Sequence, residues 1–555
     1  MIRSKYTAVA LSLILISTLF ASSLSGCSDS SKGKEVYQGM YSYDDFNTPT
    51  TCGECHTQIY SDWSKSLMGM NYVKQWKQVE YFELAYPHSQ HLEKVAGIES
   101  GCIMCHAPLA FLTDDIPPAK AEEGTRANEG VSCEICHSLT GSSEEAPFNF
   151  SAIMNLGNIK YGPRTNSEST FHKTKYSEFI GSPEHCALCH DEQDPYGEWV
   201  KATYREWSEG PFPGMDITCI DCHMDTTTGT AAVGGKKRDN LAVHSFMAVH
   251  SPERLEDNIE IIASVSDKQL SAGATLEISA DIRCLVMGHK FPSGSTEERM
   301  LWLEVWATDS KGNRYHIPVD PKGFTMEEYT IADSSATAYS DIGALMGVDA
   351  SNISRDGNVP DGARIFRQPF FNPDGEMTIL QWYCADNTSV DYRFGPRETK
   401  TETYTWKLPD NIPDGTLTIE FNMYYSLVPT SIGEFLGLDE YYYTAYPTGS
   451  SSITVNVGST TTTTTTTTPK PALTFGDMAA LGKQAYYYSC HSMSKDMIMS
   501  YENAYIFLTE GINAMPRGWG ESGKQILAYL LLEYGWVSAD AVFDPDALAE
   551  IILTD

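Results

Sequence analysis

The chain has 555 residues, and its 39 lysine and arginine residues against 73 aspartate and glutamate residues give a formal net charge of -34 at pH 7. At about 100 to 200 residues per domain, this length predicts several domains rather than one. An acidic surface of this size excludes nucleic acid as a partner and disfavours acidic lipid surfaces, because both repel negative charge. Basic or neutral partners, metal ions and mineral surfaces stay open.

The N-terminus has the pattern of an export signal. Two basic residues precede an apolar run from Ala8 to Phe20, and small residues follow. The run ends in Leu24-Ser25-Gly26-Cys27, which resembles the lipobox of bacterial lipoproteins. We therefore expect a signal peptide over residues 1–26 and an acylated Cys27 that anchors the chain to the outer membrane, on its periplasmic or cell-surface side. The alternative is an ordinary secretory signal with an incidental cysteine.

Residues 27–50 are predicted to be a lipid-anchored tether, because residues 28–47 are mostly polar and offer no core. Beyond the tether, ten of the fourteen cysteines fall into five C-x-x-C-H motifs. The ten are Cys52 and Cys55, Cys102 and Cys105, Cys133 and Cys136, Cys186 and Cys189, and Cys219 and Cys222; the histidines that follow them are His56, His106, His137, His190 and His223.

The repeated motif is the attachment signature of haem c. Two thiols add to the porphyrin, and the histidine that follows binds the iron. Chance would produce on the order of a hundredth of one such match in a chain of this composition. Structural zinc is the alternative, but a zinc site does not require a histidine after every cysteine pair. We therefore predict five covalent haem c groups.

Residues 51–257 are predicted to be a pentahaem cytochrome domain, mainly α-helical or irregular. Short helix-compatible stretches and loops alternate there, with little sustained apolar periodicity. The haem groups are therefore expected to supply the core of this domain.

The residue on the second face of each iron decides the function, because a filled sixth position gives electron transfer. Eight histidines lie outside the motifs. We expect four of them, and one of the pair His88 and His91, to be distal ligands: His172, His244, His250 and His289. His185, which adjoins a motif, and His316, in a strand-rich region, are expected to be structural.

Residues 258–457 are predicted to form an antiparallel β-sandwich of immunoglobulin-like size, because two-residue alternation of apolar and polar residues takes over. The expected strands lie at 276–282, 300–307, 401–408, 417–422 and 453–457. Cys284 and Cys384 lie in this region, where a disulfide and two buried free thiols are both open.

Residues 458–472 are rich in threonine and proline and predict an extended linker before a helical domain at residues 473–555. This last domain resembles a small monohaem cytochrome c, with Cys490, His491 and Met515 at the places of haem contacts. Its attachment motif is broken, since Tyr487 stands where the first cysteine would be. We expect the fold without haem; the alternative is a sixth haem held by one thioether.

Residues 51–457 resemble the multihaem cytochromes related to the electron acceptor of hydroxylamine oxidoreductase. The residues that carry the resemblance are Cys52 to Tyr60 with Trp63 and Ser66, Gly130 to His137, Glu206-Trp207 before the fifth motif, and Gly288 to Gly294 with Arg299. The resemblance implies closely packed bis-histidine haems, with His289 reaching from the sandwich to one iron. Many relatives have a histidine where this chain has Met68 and Met70. One haem is then His/Met or open, or both methionines pack against porphyrin.

These features predict an electron carrier of the cell envelope or surface, whose partners are redox cytochromes or an extracellular acceptor, together with the lipid bilayer. One alternative is a reductase or oxidase of small nitrogen or sulfur compounds at an open haem. The other is a subunit of an extracellular cytochrome filament.

Overall fold

The structure is a computed structural model, and it describes residues 33–248, 255, 258–284, 287–336, 353, 355 and 357–458. The predicted signal peptide, Cys27, His250 and nearly all of the linker lie outside the described residues. The predicted C-terminal domain lies outside them too, with Cys490, His491 and Met515. Within the described ranges, no helix combines the length and the apolar character needed to cross a bilayer.

The N-terminal part consists of short helices and loops, as its sequence predicts. Proline at a first helical position starts several of the helices, where its missing N–H is not needed. The α-helices are Pro49–Gly53, Thr57–Lys65, Gln75–Val79, Tyr86–His91, Ile98–His106, Pro108–Leu112, Cys133–Cys136, Pro183–His190, Thr203–Ser208 and Cys219–His223, with a π-helix at Glu80–Ala85.

Small sheets connect these helices. A three-stranded sheet has the order Lys34–Glu35, Ala152–Met154, Leu139–Ser142. Three two-stranded sheets follow: Ile159–Gly162 with Lys173–Tyr176 in parallel, and the antiparallel pairs Asp191–Gln193 with Trp199–Ala202 and Thr226–Thr230 with Lys237–Ala242.

The segment before the first motif differs from the predicted tether. Lys34–Glu35 pairs with the strand Ala152–Met154, and Phe46 is buried in a cluster with Leu109 and Phe150. Apolar side chains spaced among the polar residues anchor the segment, and half-buried Tyr43 is one of them. A tether that extends to residue 50 is therefore wrong for the described residues.

Two larger sheets form the C-terminal part, and each predicted strand is found there. Four of them have small shifts at their ends, whereas the last begins at Tyr446 rather than at residue 453. One sheet has the order Ile259–Val265, Thr275–Cys284, Thr399–Lys407, all antiparallel. The other has the order Gln269–Leu270, Tyr446–Val457, Gly415–Ser426, Met300–Thr308, Arg314–His316, and Arg364–Ile365 also pairs with Met300–Thr308. A two-stranded sheet, Phe370–Phe371 with Met377–Thr378, and the helix Thr430–Phe435 complete this part.

Alternating side chains of the two larger sheets are buried in one apolar cluster. Leu276, Ile278 and Ile282 come from the first sheet, and Leu303 and Phe421 come from the second. The same cluster continues into the helices of the N-terminal part. The two parts are therefore joined by a continuous core, although the change in sequence pattern near residue 258 separates them.

Cys284 and Cys384 are free thiols and both are buried. Cys284 belongs to the main cluster, whereas Cys384 packs with Val200 and Phe370. Of the two alternatives left open by the sequence, the structure has the two buried free thiols.

Candidate functional site

Each C-x-x-C-H motif lies on or beside one helical turn. Residues three apart on a helix project from the same face, so the two cysteines of a motif present their thiols together. The histidine comes at the last position of its helix in three motifs: His106, His190 and His223. His137 caps the end of its helix, and His56 stands immediately before the next one. The local structure thus places two thiols and an imidazole side by side five times.

Thiols of different motifs also contact one another. Cys52 lies within hydrogen-bond range of Cys133, Cys105 of Cys189, and Cys186 of Cys219. These contacts place the first motif beside the third, the second beside the fourth, and the fourth beside the fifth.

Three motif histidines face a second histidine ring. The ring centroids of His56 and His172 are 6.3 Å apart with an interplanar angle of 27°, and those of His137 and His244 are 6.5 Å apart at 25°. The rings of His223 and His289 are almost parallel, at 6.3 Å and 8°. The structure therefore brings together three pairs, each of one predicted proximal and one predicted distal ligand.

The six rings share one hydrogen-bond pattern, in which Nδ1 contacts a backbone carbonyl oxygen. For the motif rings, Nδ1 lies 2.7 Å from the carbonyl oxygen in each case: His56 with Ala231, His137 with Tyr161, and His223 with Met247. For the facing rings, the distances are 3.1 Å for His172 with Lys173, 3.0 Å for His244 with Ala242, and 2.8 Å for His289 with Lys290. A carbonyl oxygen only accepts hydrogen bonds, so Nδ1 carries the proton and Nε2 keeps its lone pair. A metal-binding imidazole is held in this tautomer.

Burial favours the neutral imidazole that a metal requires. Burial, together with the neighbouring His137, lowers the pKa of His244 to about 4. Burial likewise lowers the pKa of His137, and it lowers the pKa of His190 to about 4 together with nearby His223.

The ring pairs fit a haem iron between their members. Two metal–nitrogen bonds of about 2 Å, with half an imidazole ring added at each end, span about 6 Å. Each pair has this spacing, and each motif ring stands next to its two thiols. These residues therefore suit three bis-histidine haem c groups. Among the described residues, no three His, Cys, Asp or Glu side chains converge as a bare metal ion would require.

The other two motif histidines have no facing histidine ring among the described residues. His106 is half-buried, and its Nδ1 lies 2.7 Å from Oδ1 of Asn71. Desolvation lowers its pKa well below the usual range, and Lys77 and Lys201 add to the effect. Asn71 was not predicted, and nothing in its local sequence marks it. The predicted ligand His250 lies outside the described residues.

His88 and His91 share the helix Tyr86–His91 but differ in environment. His91 is exposed, whereas His88 is 2% exposed. The indole N–H of Trp382 donates to Nδ1 of His88 at 3.0 Å, so a neutral His88 carries its proton on Nε2. That tautomer is the opposite of the one in the three ring pairs. Burial also lowers the pKa of His88 to about 4.

A buried network of charges lies beside the second motif. Lys77 forms an ion pair with Glu80, and Lys201 forms one with Glu192 at 2.6 Å. Gln381 connects the two pairs, because its amide donates to Glu80 at 2.7 Å and its carbonyl oxygen accepts from Lys201. The network joins the helices, the hairpin of Asp191–Gln193 and Trp199–Ala202, and the C-terminal part.

Two further carboxyl groups border this network. Trp76 and Arg299 donate to Oε2 of Glu298, at 2.9 and 3.3 Å. Burial raises the pKa of Glu298 above the usual range and that of Glu297 well above it. The carboxyl groups of Glu297 and Glu298 therefore hold protons more readily than exposed carboxyl groups do, next to the ion pairs of the network.

The loop that contains Met68 and Met70 packs against the third motif. Gly130 lies three residues before the first cysteine of that motif, and its φ is +55°. A Cβ at this position would lie 2.8 Å from the carbonyl oxygens of Met68 and Gly69. Only glycine suits this position, because of both its backbone conformation and the close contact. Both methionines are half-buried, and no described contact decides between ligation and packing.

Comparisons with known proteins agree on one class. Residues 51–138, which include the first three motifs, match the family described as cytochrome c554 and c-prime. A penta-heme cytochrome c552 from Thermochromatium tepidum has a similar fold, with a TM-score of 0.51, 17% identity, and coverage of 74% of this chain and 99% of the other. No curated protein sequence matches the chain.

Two other solved structures have TM-scores too low to carry an argument. They are AvmM, which catalyses macrocyclization in alchivemycin A biosynthesis (TM-score 0.17, 13% identity, 37% and 90% coverage), and Spo0M, a sporulation control protein from Bacillus subtilis (TM-score 0.14, 8% identity, 41% and 55% coverage). The five motifs and the family match over residues 51–138, together with a fold similar to that of the penta-heme cytochrome, support a multihaem c-type cytochrome that contains covalent haem and takes part in electron transfer.

Proposed function

We propose that the chain is an electron carrier that holds five haem c groups, of which three have two histidine ligands each. The observation that carries the proposal is the set of three facing ring pairs with a shared Nδ1 tautomer. When bound, haem c supplies an iron that accepts and releases one electron. At these three sites the paired histidines would hold the iron on both sides, which would favour electron transfer over binding of a substrate.

The contacts between motif thiols support a close-packed arrangement. A porphyrin attached at Cys52 would lie beside one attached at Cys133, and the same holds for Cys186 and Cys219. These contacts, and the proximity of Cys136 to Cys186, would arrange the haems in the order of the first, third, fourth and fifth motifs. The haem of the second motif would lie beside that of the fourth.

We further propose that the chain is exported and is anchored to the outer membrane through an acylated Cys27, with redox cytochromes or an extracellular acceptor as partners. The apolar run before Cys27 supports this location. A filament subunit remains the less favoured alternative, because a lipidated N-terminus restricts how subunits can assemble.

A reductase or oxidase at the second motif is the other candidate function. Its supporting observation is that His106 faces no histidine ring among the described residues and lies beside the buried network of Lys77, Glu80 and Lys201. Lysine side chains can bind an anionic substrate, and carboxyl groups can supply protons.

Electron paramagnetic resonance of the fully oxidised holoprotein separates the two functions. For a pure carrier we expect low-spin ferric signals that account for all five haems, because each iron would then have a strong-field ligand on both faces; the three ring pairs account for three of them. A high-spin signal equal to one haem per chain would contradict a pure carrier. It would favour the enzyme if Cys102→Ser/Cys105→Ser, which removes the attachment of the haem at the second motif, abolished that signal and Cys219→Ser/Cys222→Ser did not.

A further inference from the structure

The first motif is covered on one side by a surface hairpin. This hairpin consists of the strands Thr226–Thr230 and Lys237–Ala242, and its tip lies against the motif. The carbonyl oxygen of Ala231 accepts from Nδ1 of His56 at 2.7 Å, and the N–H of Val233 donates to the carbonyl oxygen of Cys55 at 2.9 Å. The tip is therefore fixed by one hydrogen bond to the imidazole of His56 and by one backbone hydrogen bond to the residue before it.

A second surface segment covers the other side. Residues 158–178 contain the parallel strands Ile159–Gly162 and Lys173–Tyr176, and the loop between them supplies His172, the ring that faces His56. Two arginines tie the segments together. Arg164 donates to Asn240 of the hairpin, and Arg238 of the hairpin donates to the side chain and the backbone of Asn166 at 2.9 Å each.

The charge of these two segments is opposite to that of the whole chain. Residues 158–178 and 226–242 contain seven lysine or arginine residues and three acidic residues, whereas the chain has a net charge of -34. The acidic residues are Glu168, Glu178 and Asp239. Lys160 is neutralised by buried Glu134, but within the described residues the other six basic side chains form no ion pair.

The same surface exposes apolar side chains. Phe171 is 82% exposed and Val233 is 72% exposed, which makes them the two most exposed large apolar residues among those described. Phe171 precedes His172 in the chain, and Val233 makes the backbone contact with Cys55. We call the exposed residues Phe171, Lys173, Lys175, Val233, Lys236 and Lys237 the basic face.

We propose that the basic face docks a small acidic electron-transfer protein at the haem held by Cys52, Cys55 and His56. This proposal rests on the proposed function as an electron carrier. Transient redox complexes bury little surface, and opposite charge around an apolar centre gives such complexes their association rate. The basic face has this composition, and it adjoins the pair His56 and His172: Phe171 precedes His172 in the chain, and the N–H of Val233 donates to the residue before His56.

A small acidic protein fits better than a second copy of the chain. At physiological salt, charges interact over about 8 Å, so a small partner experiences chiefly the local positive charge. A second copy would bring its own net charge of -34 against the first, which opposes association.

The test uses stopped-flow reduction of the oxidised holoprotein by a reduced plant-type [2Fe–2S] ferredoxin, which is a small acidic redox protein. The variants are Lys173→Glu/Lys175→Glu, Lys236→Glu/Lys237→Glu and all four combined. We expect the wild-type rate to fall as salt rises, and the fourfold variant to react at least about tenfold more slowly at low salt and to become faster as salt rises.

Matched controls separate docking from damage. Lys268→Glu/Lys407→Glu reverses two exposed charges on the sheets of the C-terminal part and should keep the wild-type rate and salt dependence. Phe171→Ser should slow the reaction and leave its salt dependence unchanged. Reduction by a small neutral flavin should be the same in all variants, which shows that the haems are intact.

Four results would overturn the proposal. One is a fourfold variant with the wild-type rate and salt dependence. Another is a neutral flavin rate that falls together with the ferredoxin rate. Wild-type binding to vesicles of anionic phospholipid that the fourfold variant loses would assign the basic face to lipid. Self-association at low salt that the same variant loses would assign it to a second copy.

A wild-type protein that the neutral flavin fails to reduce would instead contradict the proposed function.

Discussion

Histidine rings of one tautomer meet in pairs at three of the five motifs, and the parallel pair of His223 and His289 is the most regular. We predict that His289→Ala converts one haem from low-spin to high-spin, because its iron would lose the ring that faces His223. Electron paramagnetic resonance and the visible spectrum of the oxidised protein measure the change. His316→Ala is the control, since that ring packs on Trp306 at 4.9 Å. A low-spin spectrum identical to the wild type would remove His289 from the ligands.

Asp194 is a second residue whose role can be tested, and it connects the hairpin to the C-terminal part. Its side chain accepts N–H bonds from Tyr196, Glu198 and Cys384, at 2.8, 3.0 and 3.1 Å, and it is 7% exposed. Burial raises the pKa of this carboxyl group from 3.8 to about 6, and the three hydrogen bonds only partly oppose the effect. The folded protein therefore holds a proton at pH values where the unfolded chain has lost it.

The sign of the resulting pH dependence follows from this difference. Between pH 3.8 and about 6 the folded state binds more protons than the unfolded state, so the free energy of unfolding falls as pH rises. A shift of this size corresponds to about 3 kcal/mol. We predict that Asp194→Asn loses this slope, as measured by urea unfolding at pH 4 and pH 7. An unchanged difference between the two pH values would show that Asp194 does not titrate in this window.

At the scale of elements, the loop with His289 is held by the helix Thr203–Ser208. Glu206 of this helix accepts from Arg393 at 2.7 Å and from Ser293 at 2.6 Å, and Arg393 also donates to the carbonyl oxygen of Pro292 at 3.1 Å. Both charged groups are buried. The contacts fix the backbone a few residues after His289 against the motif-bearing part.

We predict that Arg393→Met destabilises the protein by about 3 to 5 kcal/mol, because Glu206 is left as a buried charge without its cation. Urea unfolding measures this loss, and the low-spin signal of the haem of His223 should weaken at urea concentrations below the global transition. Glu206→Gln/Arg393→Met should recover part of the loss. Arg283→Met, which breaks a more exposed pair with Glu260, should cost less than about 1 kcal/mol. Equal losses in the two arginine variants would refute the role of the buried pair.

For the whole molecule, the number of covalent haems is the property that the motifs predict most directly. Mass spectrometry of the matured protein should give five haem additions, because thioether bonds survive denaturation. Cys219→Ser/Cys222→Ser should reduce the number to four, and Cys284→Ser should leave it at five. Six additions on the wild type would establish haem at Cys490, and fewer than five would contradict one of the motifs.

The N-terminal helices and the C-terminal sheets share a core, so each part contributes to the stability of the other. Trp382 of the C-terminal part contacts His88, and Gln381 joins the charge network beside the second motif. A polar group from one part is thus satisfied by the other, so the helices beside the second motif need the sheets to complete their hydrogen bonds.

The sequence by itself determined the strands and predicted the haem attachment sites. A C-x-x-C-H motif is a local pattern, and so is the alternation of Leu276, Ile278, Ala280 and Ile282, because a helical turn and a strand each repeat within a few residues. The sequence also singled out His172, His244 and His289 as ligand candidates, although it could not assign each to a motif.

Only the tertiary structure decided which side chains meet across long distances in the chain. It paired His56 with His172, gave His106 an asparagine from position 71, and turned His88 toward Trp382. It also gathered lysines from two separate segments into a basic face on an acidic chain. These contacts depend on how loops fold back on one another, and a local sequence pattern carries no information about such long-range contacts.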